Sequence, residues 1–172
     1  MRLMFMDEAR FGRMNRPVRC WAPPGVRPVD GCQVIRQYTD AYTAVSPSDG
    51  QTCSLILPSM EKQCFQAFLD TLAGRFEGDL VCLITDGAGS HITHELDVPD
   101  NVELITLPPY SPELHPVEQI WALLRKHWFD NQIMRSMDAV ETVLTKALTW
   151  LTDIPERLKI LTRRAWATTP SP

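Results

Sequence analysis

Apolar and polar positions divide the chain into two regimes. Residues 2–6 form a short apolar run that stops at Asp7, and residues 18–22 form a second, closed by Pro23-Pro24-Gly25. Residues 33–45 are rich in Val, Ile, Tyr and Thr, Ser46-Pro-Ser-Asp-Gly50 is turn chemistry, and residues 52–57 return as another extended run. The first third therefore reads as an antiparallel meander. Beyond it the period changes. Met60, Cys64, Phe65, Phe68, Leu69 and Leu72 fall at helical spacing within residues 59–75, with Ser59 as the N-cap. Residues 80–85 are continuously apolar, as suits a strand buried on both faces. A short helix over 92–96 and a strand over 102–107 come next. Three helices end the pattern. One spans 116–129, with Val117, Ile120, Trp121, Leu124 and Trp128 on one face. Another spans 137–151, and the last 155–166. A meander that passes into helix-linked strands predicts an α/β domain, a mixed sheet with helices packed on it.

A chain of 172 residues can bury a core of its own. No apolar run reaches the roughly 18 residues that span a membrane, and the opening segment is too short for a signal-peptide core. A cytoplasmic protein is the expectation. The net charge of -4 disfavours a free-standing DNA binder, although carboxylates at a metal site add negative charge and local basic patches still hold phosphates. Arg157, Lys159, Arg163 and Arg164 form the most basic stretch, either a solvated helix face or such a patch. Five cysteines without a C-x-x-C point to buried, reduced thiols. His91-x-x-His94 has metal spacing but no third ligand nearby. No Ser-His-Asp set is recognisable, and Gly87 and Gly89 fit no phosphate-loop pattern. Trp121, Trp128, Trp150 and Trp166 fall on helices, where core or interface packing outweighs base stacking.

Three acids sit where packing does not need them. Asp7 ends or interrupts an apolar strand, so it must be paired, metal-bound or solvent-facing, with Arg10 or Arg13 as available partners. Side chains alternate along a strand, so Glu8 faces away from Asp7. Asp86 directly follows a buried strand and precedes Gly87 and Gly89, where it is a simple turn residue or a ligand beyond the strand's carboxyl end. Glu118 lies in the first turn of an amphipathic helix, with Pro116 at N1 and His115 as N-cap, where the helix dipole alone would favour an acid. Together the three make a hard-oxygen site. Magnesium or manganese prefers such ligands. Two ions about 3.5–4 Å apart can activate the attacking oxygen and stabilise the leaving one in phosphodiester cleavage.

The motifs Phe5-Met-Asp7-Glu-Ala-Arg-Phe11, Leu83-Ile-Thr-Asp86-Gly-Ala-Gly-Ser-His91 and Leu107-Pro-Pro-Tyr-Ser-Pro-Glu-Leu-His-Pro-Val-Glu118-Gln-Ile-Trp121 closely resemble those of the insertion sequence 630 and mariner superfamily of DDE transposases. The resemblance covers residues 1–135 and is looser beyond them. It implies a ribonuclease H-like fold, a mixed five-stranded sheet with helices on both faces, over residues 1–167, with 168–172 a frayed tail. It implies that Asp7, Asp86 and Glu118 are the catalytic acids and hold two Mg2+ or Mn2+ ions, the last two acids being separated by 31 residues, close to the family's spacing. His91, Tyr110, His115 and Arg125 become candidate substrate contacts, His91 as a structural cap or a phosphate ligand. The implied activity is DNA cleavage and strand transfer by a polynucleotidyl transferase. The implied partners are transposon-end and target DNA, a second copy of the chain, and a separate N-terminal DNA-binding half. Two features depart from the family. His115 stands where asparagine is usual, and no helix-turn-helix domain precedes the first strand. A catalytically silent remnant, binding DNA or protein, is the alternative reading.

Overall fold

The computed structural model describes residues 1–15, 17–29, 31–86, 96–108 and 115–163. Five strands form one mixed sheet: β1 (Arg2–Met14), β2 (Val34–Val45), β3 (Thr52–Leu57), β4 (Val81–Thr85) and β5 (Val102–Thr106). Their order across the sheet is β3-β2-β1-β4-β5. The first three pair antiparallel, and β4 and β5 add parallel to β1 on its other side. The expected mixed α/β architecture is present.

Alternation along β1 sorts the core into two layers. Phe5, Ala9 and Phe11 face one side, where α2 (Val117–Leu124), α3 (Met137–Thr152) and α4 (Pro155–Thr162) cover them. Met4 and Met6 face the other side and meet Phe65, Phe68, Leu69 and Leu72 of α1 (Lys62–Arg75). β4 is buried along its whole length, consistent with helices on both faces. Ser136 caps α3 by accepting a 3.1 Å bond from the Ala139 N–H. Arg2 ties the start of β1 to Asp79 at 2.7 Å and also to Asp49.

Several boundaries differ from the sequence expectation. β1 does not stop at Asp7 but runs on to Met14, because β2 pairs with it from Phe5↔Val45 to Met14↔Val34. Gly12 permits this: a Cβ there would lie 2.2 Å from the Gln37 carbonyl oxygen of β2. Residues 18–22 form no strand. Trp21 is fully exposed, Pro17, Pro23, Pro24 and Pro28 lack ladder donors, and the backbone N–H of Val18 goes to Asn131 Oδ1 at 3.0 Å instead. Three described strands, not four, therefore precede α1. That helix starts at Lys62, not Ser59. The Ser59 carbonyl accepts the Tyr42 hydroxyl at 3.0 Å, which holds Ser59 outside the helix. The helix expected over 116–129 is α2 followed by one π-helical turn, Arg125–Phe129. Pro116 itself takes the N-cap place, rather than His115; its fixed φ and missing N–H suit a helix start with no side-chain cap. The short helix expected over 92–96 lies outside the described residues except for Leu96, which is not helical. Of the cysteines, Cys53 and Cys82 are buried, Cys64 is half-buried, and Cys20 and Cys32 are exposed, against the expectation of burial for all five.

Candidate active site

Asp7 lies mid-strand, opposite Thr43 of β2, on the face that carries α2. The last registered pair of the parallel β1–β4 ladder is Phe5↔Ile84. Asp7 and Asp86 each stand two residues beyond it. A ladder continued in that register would place them level and on one face, about 4.8 Å apart across the sheet. Asp86 follows the end of β4 directly and is exposed. Glu118 occupies the first turn of α2 and is also exposed. The apolar stripe Val117, Ile120, Trp121 and Leu124, all buried, lays α2 on the Asp7 face.

A side-chain hydrogen bond joins the helix to the strand. The Trp121 indole Nε1–H donates to Asp7 Oδ2 at 2.9 Å. Burial pushes the Asp7 carboxyl up to about 7; the Trp121 bond opposes that rise, and the charge of Glu118 adds to it. The two arginines that the sequence offers as partners are engaged elsewhere. Arg10 bonds Asp40 at 3.0 Å, while Arg13 bonds the Met134 carbonyl and the Gln37 side chain. Glu8 faces the opposite layer, where its charge acts on Tyr42. A half-buried carboxylate near a second acid, with no salt bridge to it among the described residues, is electrostatically poised for a divalent ion. The donor set, three carboxylates, fits a hard metal. The oxygens are not gathered into a closed site, however: among the described residues no three His, Cys, Asp or Glu side chains form a group able to hold a metal ion. Bare carboxylates repel one another, and here one oxygen of Asp7 is turned to the indole.

The expected substrate contacts divide. His91 and Tyr110 lie outside the described residues. His115 is 5% exposed and its ring sits edge-on to Phe5 at 6.3 Å, so it packs beneath the start of α2 and presents no open face to substrate. Arg125 is exposed, with its guanidinium 5.3 Å from the Phe11 ring centre. It lines a cavity of about 340 Å³ with Arg10, Asn15, Phe129 and Gln132 among its walls. The Trp121–Asp7 bond is not legible in the sequence, where helical spacing assigns Trp121 wholly to the core.

Residues 2–141 match the family model of the DDE superfamily endonuclease. The chain belongs to that family. A relative of this DDE endonuclease chain is the uncharacterized protein y4pE/y4sA of Sinorhizobium fredii (strain NBRC 101917 / NGR234), 37% identical over 127 residues, which cover 73% of this chain and 94% of the relative. Solved structures with a similar fold include the Mos1 transposase paired-end complex with left transposon end, at a TM-score of 0.61 and 17% identity, over 94% of this chain and 54% of that one. The Mos1 mariner paired end complex with Mn gives a TM-score of 0.62 at 18% identity, over 94% and 53%. The chain thus spans about half the length of those transposase chains. What is shared at this identity is the ribonuclease H-like fold. No helix among the described residues is long and apolar enough to cross a membrane.

Proposed function

We propose that this chain is the catalytic core of a transposase that cuts DNA at transposon ends and joins the freed 3′ end to target DNA. The observation that carries the reading is the convergence of β1, β4 and α2: Asp7 and Asp86 equally far past the last registered strand pair, with Glu118 one helical turn before the residue that bonds Asp7. Membership of the DDE superfamily endonuclease supports it. So does the likeness in fold to Mos1 complexes described with transposon-end DNA, Mn and Mg.

In this proposal Asp7, Asp86 and Glu118 would hold two Mg2+ or Mn2+ ions. Those ions would supply Lewis acidity to the attacking and leaving oxygens. Asp7 is the fixed member, half-buried and held by Trp121. Asp86 and Glu118, both exposed, are the members that can close on cations and DNA together. Arg125 offers a guanidinium to a backbone phosphate further along α2, and His91 and Tyr110 are the remaining proposed DNA contacts. A second copy of the chain and an N-terminal DNA-binding half belong to the same proposal.

Incubation with supercoiled plasmid and Mn2+ tests it. Nicking that disappears with EDTA and in D86N is the expected result, and joining of a pre-cut 3′ end separates transferase from hydrolase. A folded protein that binds Mn2+ but leaves plasmid and pre-cut ends untouched would support a silent relative instead.

A further inference from the structure

The bond between Trp121 and Asp7 gives the indole a role beyond packing. Trp121 is 1% exposed and the Phe11 ring meets it at 5.9 Å and 64°, near edge-on. Val117, Ile120 and Leu124 fix the same helix against the sheet. The indole is thus packed on its ring faces, and its one N–H donates to Asp7 Oδ2. The Asp7 carboxylate also takes a backbone hydrogen bond from Glu8, so two donors hold it. Glu118 lies three residues before Trp121, so the two are neighbours on the surface of α2. One helix thus supplies an acid of the site and the donor that orients another. Groups that hydrogen-bond a metal-ligating side chain fix its direction, and losing them typically lowers metal affinity about 10- to 100-fold.

We infer that Trp121 is a positioning residue: its N–H holds Asp7 Oδ2 and so fixes the direction in which the carboxylate would meet a divalent cation, and it couples the placement of Asp7 to that of Glu118 through α2. This rests on the proposed assignment of Asp7 as a metal ligand. It goes further in assigning the orientation of Asp7 to a helix that also carries a second proposed ligand.

The experiment is Mn2+ binding without DNA, followed by the loss of the free-ion electron paramagnetic resonance signal in wild type, W121F and D7N. Indole N–H signals in nuclear magnetic resonance spectra report the bond independently of metal. Because Trp121 is buried, a second variant carries benzothienyl-alanine at this position, which keeps the two-ring outline and replaces N–H by sulfur. The expected result is a folded protein in which both Trp121 variants bind Mn2+ about 10- to 100-fold more weakly than wild type. In wild type, one protected indole proton should shift in D7N and be absent in W121F. Wild-type affinity in the sulfur analogue overturns the role of Trp121 while leaving the metal site standing. Failure of wild type to bind Mn2+, or unchanged binding in D7N, overturns the metal assignment of Asp7 and the positioning role with it.

Discussion

Glu118, at the exposed start of α2, acts electrostatically on Asp7, half-buried in the middle of β1, and helps to keep its proton in place. The larger cause of that retention is burial; the Trp121 N–H works against it, and Glu8 on the neighbouring position adds a weaker push. The two acids are separated by most of the chain, and the charge of one reaches the other because the helix that buries Trp121 against the strand also carries Glu118 in its first turn.

A pH dependence follows. In the unfolded chain Asp7 titrates near the ordinary aspartate value of about 4, and in the folded, metal-free protein at about 7. Between those values the folded state holds the extra proton, so stability falls as pH rises through the window and levels off above it. Each difference of one in pKa is worth about 1.4 kcal/mol, which makes the Asp7 contribution a few kcal/mol. D7N removes the titrating group while its amide oxygen can still accept from Trp121. In EDTA, its melting temperature should change less than that of wild type from pH 4.5 to 8, and should lie above it at pH 8. Parallel curves for the two proteins would contradict the buried-acid account.

Asp86 and Glu118 should behave differently from Asp7. Both are exposed, so D86N and E118Q should shift stability by no more than about 0.5 kcal/mol. Plasmid nicking should nevertheless fall by at least about 100-fold, the order of loss seen when one preorganised charge-stabilising group is removed. Melting curves with rate assays on the same samples separate the two effects. A variant that melts like wild type and cuts at an unchanged rate removes that acid from the site.

Much of this arrangement is legible from short-range pattern. The continuous apolar run of β4 marks a doubly buried strand, period-two alternation puts Glu8 opposite Asp7, and the stripe Val117, Ile120, Trp121 and Leu124 predicts the face of α2. What escapes depends on partners distant in sequence. Asp7 reads as a strand end because the residues after it are mixed, yet Glu8 to Met14 are held by pairing with β2 across a connection of many residues. Residues 18–22 have strand composition, but no described strand pairs with them. The indole bond to Asp7 is hidden because a tryptophan at a core position carries no local sign of where its N–H points.

The turn between β2 and β3 gives a stability prediction. Gly50 has φ +73, and a Cβ there would sit 2.0 Å from the Pro155 carbonyl oxygen at the start of α4. G50A therefore meets both backbone strain and a backbone clash, with a cost of at least about 1–3 kcal/mol for the strain. At Gly74, near the end of α1, an added methyl would meet nothing within 4 Å, so G74A should be neutral or up to about 1 kcal/mol stabilising. Urea denaturation of the two variants checks the contrast. Equal midpoints would show that the turn and α4 are not in the contact described.

Arg125 tests the reach of the site along α2. It is seven residues beyond Glu118, about 10 Å at the rise of a regular helix. Its guanidinium lies over the Phe11 ring, and the residue is exposed. An arginine held on an aromatic face keeps its donors pointed outward. R125A should weaken DNA binding at all sequences alike and reduce the slope of log affinity against log salt by about 1. R125K keeps the charge, and so the slope, but loses the planar fork, and should bind at an intermediate affinity. Melting of R125A should move little, because Arg125 is exposed and such cation–ring interactions contribute about 0.5–1 kcal/mol for exposed groups. If R125A binds DNA with the wild-type salt slope, no phosphate is neutralised at this position and the DNA path does not follow α2 past Trp121.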